Sequence, residues 1–338
     1  MNNNKLTITS FPPVEGLRVR HFAGEVDFPA MIAIIEAASN ADNEDRSTTL
    51  DDIKNDYRHL NNSDPAKDLI IVEIFGEAVA YSRVEWFQEE DPNDRIYAHF
   101  VHIAPEWRNQ GIETAMIRWC EERLQTIASQ HLVDSQRFFQ TYSLSSKQGY
   151  NKILENLGYQ AIRYEFEMSR PLDKIPAREL PEGVEVRPVR EEDVRKIWDA
   201  SSEAFRDHWG FTEPSENDYI SYKESKYFQP DLWQVAWHDD TIVGSVLNYI
   251  DPDYNQKYSC KRGWTEDIAT KRAWRKRGIA QALIVRSMQM HKALGMNEVA
   301  LGVDTHNLTG ALQLYQSLGY QAYKTMITYR KRLVDNLP

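Results

Sequence analysis

The chain has 338 residues, a formal net charge of −11 and a pI near 5.4, with 41% hydrophobic and 27% charged residues. That balance excludes a disordered chain, and its acidity excludes electrostatic binding to nucleic acid or to an anionic membrane, each of which needs a basic face. At roughly 100–200 residues per domain the length predicts two domains.

The opening stretch MNNNKLTITS lacks a charged segment followed by an apolar one, so no secretion signal is expected. Cys120 and Cys260 stand in no metal or redox spacing, which together with that start predicts a reduced, cytoplasmic chain. A strand is expected at Gly16–Arg20 (GLRVR) and a helix around Met31–Ser39. Asp68–Ser82 reads as strand, polar turn, strand; Glu73, Gly76 and Glu77 interrupt it too often for a membrane span. Next come Glu106–Ile117 (EWRNQGIETAMI) and Ile153–Tyr159 (ILENLGY).

The same series then recurs: Gly183–Arg187 (GVEVR), Val194–Phe205, Asp231–Ser245, Ala273–Ile284 (AWRKRGIAQALI) and Leu314–Tyr320 (LYQSLGY). Gly16 to Gly183 and Gly111 to Gly278 are both 167 positions apart, and Gly158 to Gly319 is 161. Matches in one order at nearly one offset define a duplicated domain. Three prolines and clustered charge make 169–182 a linker between a first domain at 1–168 and a second at 183–338. Strands mixed with helices, and a hairpin before the first crossover, predict an α+β layered fold in each half.

In the second half a strand through Trp264–Thr270 runs into Lys271–Ala280 (KRAWRKRGIA), where five of the first seven residues are cationic. Strand, basic turn, then amphipathic helix is the geometry of an anion site. The first helical amides have no internal partner, and the helix dipole favours negative charge there. Gly278 removes a Cβ where a diphosphate would approach, and Ala280 is the next smallest choice. A solvated basic turn capping a helix is the competing reading. Asn297–Thr305 is expected to be a strand. Asn307 is expected to cap a helix with apolar Leu308, Ala311, Leu312, Tyr315 and Leu318, stopped by Gly319. Tyr320–Leu333 alternates as an edge or hairpin strand. The histidines form no H-E-x-x-H spacing, so no metal is expected.

Arg275-x-x-Gly278-x-Ala280 and NLTGALQLYQSLGY together resemble the GNAT N-acetyltransferase superfamily, and the whole chain resembles its tandem members, an arrangement that includes mycothiol synthase-like enzymes. The resemblance implies two GNAT-like domains, each a mixed, mostly antiparallel sheet flanked by helices, with acetyl-coenzyme A as co-substrate. It implies that Ile268, Ala269 and Thr270 lie along the pantetheine arm. Arg275, Lys276, Arg277, Gly278, Ile279 and Ala280 would hold the pyrophosphate, with Asn307 beside the pantetheine. Tyr315 would be the general acid to the departing thiolate, which its phenol pKa near 10 suits. Glu266 is the candidate base. Strand parity puts it with Trp264 and Ile268, opposite Asp267. The family strand commonly carries a bulge, which would bring Asp267 inward instead, and Asp304 is a third candidate.

Mapped onto the first half, Arg108 and Gly111 survive, but Ala280 becomes Glu113, Asn307 becomes Ser146 and Tyr315 becomes Leu154. A carboxylate beside the helical amides competes with phosphate, so the first half reads as a degenerate copy. The acceptor side is expected in Ser201–Tyr219, with Phe205, Trp209 and Phe211 near an apolar part of the substrate and Asp207 on its ammonium. The expected activity is transfer of acetyl to a primary amine of a small molecule by direct attack. A non-catalytic acyl-coenzyme A sensor and a tandem aminoacyl transferase are the alternatives. A tandem pair can supply its own internal packing, so a monomer or a homodimer is expected.

Overall fold

The computed structural model describes residues 11–307 and 309–334. The stretch inspected for a secretion signal and Leu308 of the last helix pattern lie outside them. The chain divides into two compact units: residues up to Arg163 joined by those from Met326 onward, and Tyr164–Thr325.

The first unit contains β1 (Leu17–His21), α1 (Phe28–Asp42), α2 (Leu50–Arg58), α3 (Pro65–Asp68), β2 (Leu69–Ile74), β3 (Glu77–Gln88), β4 (Arg95–Ile103), α4 (Ile112–Ala128), β5 (Arg137–Leu144) and α5 (Gln148–Asn156). β6 (Gln160–Pro171) begins in this unit and continues into the second. The second unit continues with β7 (Glu185–Val186), α6 (Glu191–Phe205), α7 (Glu216–Glu224), β8 (Gln234–His238), β9 (Thr241–Tyr249), α8 (Pro252–Lys257), β10 (Arg262–Thr270), α9 (Ile279–Ala293), β11 (Glu298–Asp304) and α10 (Ala311–Ser317). β12 (Gln321–Arg332) leaves it to finish in the first.

Both units share one plan: four antiparallel strands, one parallel pairing, then an antiparallel closing strand. In the first, β1 to β4 are antiparallel, β5 is parallel to β4, and Met326–Arg332 pairs with β5. In the second, β7 to β10 are antiparallel, β11 is parallel to β10, and Glu165–Pro171 pairs with β11. Each closing strand comes from the far side of the repeat. The division therefore differs from the linker reading: Ser169–Pro171 is strand paired with Glu298–Ala300, and the end of the second repeat packs in the first unit. Pro171 is the last residue of that strand, a position where a residue without an N–H is tolerated.

The elements follow local chemistry. The β-branched run of β2 is buried almost throughout. α2 and α7 open on full capping boxes, Thr49 with Asp52 and Ser215 with Asp218. α4 lays Ile112, Met116, Cys120 and Leu124 on the first core, which Ile327, Tyr329 and Leu333 complete. α9 lays Ile279, Leu283, Ile284 and Met288 on the second, against Val243, Val246, Val299 and Leu301. No helix among the described residues is long and apolar enough to cross a membrane.

Arg330 on the closing strand of the first unit donates to Gln140 at 2.6 Å and to Glu89, whose side chain is 1% exposed. Removing one partner of a buried ion pair strands the other. Arg330→Met is expected to destabilise the first unit by about 3–5 kcal/mol, read as a lower urea midpoint, and adding Glu89→Met should recover much of the loss.

Candidate active site

β10 and β11 pair in parallel from Arg262–Glu298 to Trp264–Ala300 and then part, although both strands continue. On its other side β10 remains on β9, but Glu266 faces Leu247 and Ala269 faces Ser245. Asp267 and Ile268 thus share the single opposite residue Val246, a β-bulge in which Asp267 takes φ 45°. Strict alternation would separate the two carboxylates. The bulge defeats it, and Glu266, Asp267 and Ile268 all line one recess of about 300 Å³, at the lower end of the roughly 300–1,000 Å³ usual for small-molecule sites.

Glu266 answers the parting of the strands: its Oε1 accepts from the Gly302 N–H of β11 at 3.1 Å. Burial pushes its pKa up to about 8, the Asp267 charge adds to the rise and the Gly302 bond opposes it. Crowding by protein pushes the Asp267 carboxyl up to about 6, although the residue is exposed to solvent. Tyr315 of α10 is 6% exposed and lines the same recess, its hydroxyl without a hydrogen-bond partner among the described residues. Burial first, then the nearby Glu266, raises it above the ordinary phenol value, so it stays protonated.

Asn307 lines the recess but does not cap α10. Its Oδ1 accepts from the Thr309 N–H at 2.7 Å in a tight turn, and Gly310 at φ 79° opens the helix instead. Asp304 also lines the recess and accepts from the His306 N–H at 2.9 Å. Phe205, His208 and Trp209 also line the recess, whereas Phe211 lies under Arg206 with its ring centroid 5.4 Å from the guanidinium carbon.

The basic loop holds Lys276 at φ 62° and Gly278 at φ 85°, backbone that only glycine takes without cost. A Cβ on Gly278 would enter open space rather than protein. Gly278 opens α9 with no side-chain cap. Ile279 turns its side chain into the core at 1% exposure, which leaves only its main chain for the loop, while Ala280 sits half-buried in the first turn. Arg277 lies over the Trp274 ring at 4.6 Å, and among the described residues Lys271 and Lys276 make no ion pair.

Arg275 is engaged elsewhere. It donates to the Ala204 and Thr270 carbonyls at 3.0 and 3.2 Å and, with Arg272, to the Asp207 carboxylate. The two guanidinium groups hold Asp207 down at about 2. Asp207 is therefore a staple between the basic loop and the end of α6, and not an ammonium ligand as the sequence suggested. The first unit repeats the staple: Arg108 clamps Asp42 at the end of α1 with bonds of 2.6 and 2.9 Å.

The rest of the first copy departs. β4 pairs with β3 without a bulge. His99 stands where Glu266 stands in the second copy; burial drives its pKa to about 3, and it pairs with the Tyr159 hydroxyl at 2.9 Å. Phe100 replaces Asp267, and Leu154 replaces Tyr315. At the loop, Glu113 is 4% exposed and its Oε1 accepts from the Asn109 N–H at 3.1 Å. The protein's own carboxylate occupies an amide that the second copy leaves uncapped. Sequence reasoning missed Glu165, which joins the recess only because β6 crosses into the second unit, and the Gly302 donor, whose one signal is a glycine inside a strand.

A family model described as "Acetyltransferase (GNAT) family" matches residues 31–139 and 194–320. A mycothiol acetyltransferase of Geodermatophilus obscurus is 23% identical over 308 residues, 89% of this chain and 93% of the relative. Among solved structures, a GCN5-related N-acetyltransferase from Sphaerobacter thermophilus is 27% identical and superposes with a TM-score of 0.72 over 96% of this chain and 98% of that one. A tandem GNAT protein from the clavulanic acid biosynthesis pathway, 12% identical, shares the fold with a TM-score of 0.63 over 94% and 100%.

Because the folded state raises Glu266 above its ordinary 4.5, folding retains a proton there that the unfolded chain gives up. That part of the stability is fully present below pH 4.5 and lost as the pH rises through about 8. Glu266→Gln is therefore expected to raise the melting temperature above pH 8, with the gain vanishing below pH 4.5, in melts run across that range.

Proposed function

Because the chain belongs to the acetyltransferase (GNAT) family, we propose that its second unit moves an acetyl group from acetyl-coenzyme A to a primary amine of a small molecule by direct attack, with no covalent enzyme intermediate. The observation that carries this assignment is the contrast between the two loops: uncapped amides behind an open approach at Gly278, against an amide plugged by Glu113 in the first copy.

The residues present fit the coenzyme. The space ahead of Gly278 admits a diphosphate to the main chain of Lys276–Ala280, and Lys276 and Arg277 add cationic charge beside it. Arg275 acts by fixing the loop through Asp207 rather than by meeting phosphate. Ile268, Ala269 and Thr270 lie beyond the point where β11 leaves β10, and main-chain groups there that face away from β9, other than the Thr270 carbonyl held by Arg275, can pair with an extended amide-bearing arm. The bound coenzyme supplies the activated thioester. Asn307 sits at the mouth of the same recess.

Glu266 takes the proton from the incoming ammonium. Its pKa near 8 lies close enough to that of an amine for the exchange to run near neutrality, and Asp267 keeps it raised. Tyr315, held neutral, gives its proton to the departing sulfur. A sensor would need the loop alone; an acid and a base facing one recess beside it favour turnover. A tandem aminoacyl transferase would have no use for the uncapped loop.

Titration with acetyl-coenzyme A is expected to give one tight site per chain, lost in Gly278→Glu; two equal sites would refute the assignment of the first copy. Tyr315→Phe should lower kcat about 100-fold in a free-thiol release assay while leaving coenzyme affinity intact. The value of kcat/KM should climb with pH to a plateau above about 8, the Glu266 value, and Glu266→Gln should remove that limb.

A further inference from the structure

In the first unit β4 and β5 also part: they pair from Arg95–Arg137 to Ala98–Gln140 and then separate, although both strands continue. The opening is a cleft of about 670 Å³, lined by Phe100–Ile103 on one strand and Thr141–Leu144 on the other. All of its lining residues belong to the first unit. Folded interiors keep few voids larger than a water molecule, and this one falls within the roughly 300–1,000 Å³ of small-molecule sites. Acetyl-coenzyme A does not suit it, because Glu113 holds the Asn109 N–H at 3.1 Å where a diphosphate would need it.

Charge is balanced around this cleft. Arg108 is clamped on Asp42 at 2.6 and 2.9 Å, and Lys147 bonds Glu44 at 2.9 Å. Arg46 and Arg83 stand close enough to Asp56 to hold back the rise that burial imposes on its carboxyl. With Glu113 the lining carries four cations and four carboxylates, and His102, which burial holds well below its usual pKa, adds no charge. A charged ligand would have to break one of these pairs or lose its water without a partner. One face of the cleft is aromatic instead. Tyr81 and His102 are direct cross-strand partners, as are Arg83 and Phe100, so all four share a face of the sheet. The Tyr81 and His102 rings stack with centroids 4.8 Å apart, and Phe100 and Tyr142 stack across the parted strands at 6.1 Å. The Ala104 N–H goes to Val79 of β3 and the His99 carbonyl accepts from Thr141 Oγ1 at 2.8 Å, so by alternation Val101 and Ile103 turn their main-chain groups into the opening. We infer that the first unit binds an uncharged aromatic molecule, its ring on Phe100, His102 and Tyr142 and a hydrogen-bonding group on its edge meeting the main chain of Val101 and Ile103. This assignment stands on the cleft of the first unit and does not depend on the acetyl-transfer reading of the second.

Calorimetric titration of the full chain with indole, tryptamine and indole-3-acetate compares one ring system bearing no charge, a positive charge and a negative charge. Indole is expected to bind about tenfold tighter or more than either. Equal affinity for the three, or a charged analogue ahead, overturns the inference. Tyr142→Ala and Phe100→Ala should each weaken indole about tenfold, with an unchanged far-ultraviolet circular dichroism spectrum to show that the variant is folded. Because Tyr142 is 36% exposed, its variant keeps the test open should Phe100→Ala fail to fold. Trp209→Ala, which alters the recess of the second unit, should leave indole binding as it was. Indole lost in Trp209→Ala and kept in Tyr142→Ala places the ring in the other unit and sinks the proposal. Indole binding should also survive saturating acetyl-coenzyme A, and displacement by the coenzyme counts against the cleft.

Discussion

Two parallel strands that stop pairing leave main-chain groups facing a gap, and those groups must find other partners. In the second unit β10 and β11 separate beyond Trp264 and Ala300, and the Glu266 carboxylate takes the Gly302 N–H that the ladder no longer uses. The bulge at Asp267 and Ile268 belongs to the same event: it keeps β10 on β9 while turning two acidic side chains to one side. The edge of β10, Glu266, Tyr315 of α10 and the recess all stand in the opening so made. Were β10 and β11 paired to their ends, Glu266 would have no gap to fill and Tyr315 no space to face.

The first copy shows which parts of this plan recur and which belong to the second unit alone. Sheet order, the glycine that opens the helix after the loop, and the arginine–aspartate staple recur in both units. A staple retained where Glu113 already fills the loop is serving the fold: it ties the loop to the end of the first long helix of each unit. The bulge, the two carboxylates and the tyrosine do not recur. What distinguishes the copies is a handful of side chains on one backbone, and the sharpest of them is the choice between Ala280 and Glu113, between an amide left for a ligand and an amide already satisfied.

The repeat, the element types and the basic loop were legible in the sequence because each rests on local pattern: hydrophobic period, glycine position and charge spacing. The bulge had to be anticipated from resemblance, since nothing in WTEDIAT states where alternation breaks. The exchange of the closing strands was not legible, because prolines and charge describe solvation and alternation describes a strand, and neither says which sheet a segment joins. Asn307 looked like a cap by residue type, yet the left-handed Gly310 was the better start for α10 and left the asparagine to its own turn. Arg275 looked like a phosphate ligand by motif, yet its partner Asp207 lies 68 positions away and enters no local pattern. Charge competition between distant residues is the information that a single sequence withholds.

The chain, acidic overall, carries two opposed fields in its second unit. Lys271, Lys276 and Arg277 lie in the loop that leads into the uncapped start of α9, while the charged side chains lining the recess are carboxylates. A polyanionic donor and a cationic acceptor would each be drawn to the end that suits it, and exchanging them would be costly at both. Asp207 stands at the junction and pairs with both Arg272 and Arg275, offsetting one of their two charges beside the segment bearing His208 and Trp209. Glu266 stays near 8 chiefly through burial, with the neighbouring Asp267 adding to the rise, and on the acetyl-transfer reading that is what makes it usable as a base. The carboxylates that would attract an ammonium thus also raise the proton affinity of Glu266, so on the acetyl-transfer reading one electrostatic arrangement would both draw the acceptor and ready the group that deprotonates it.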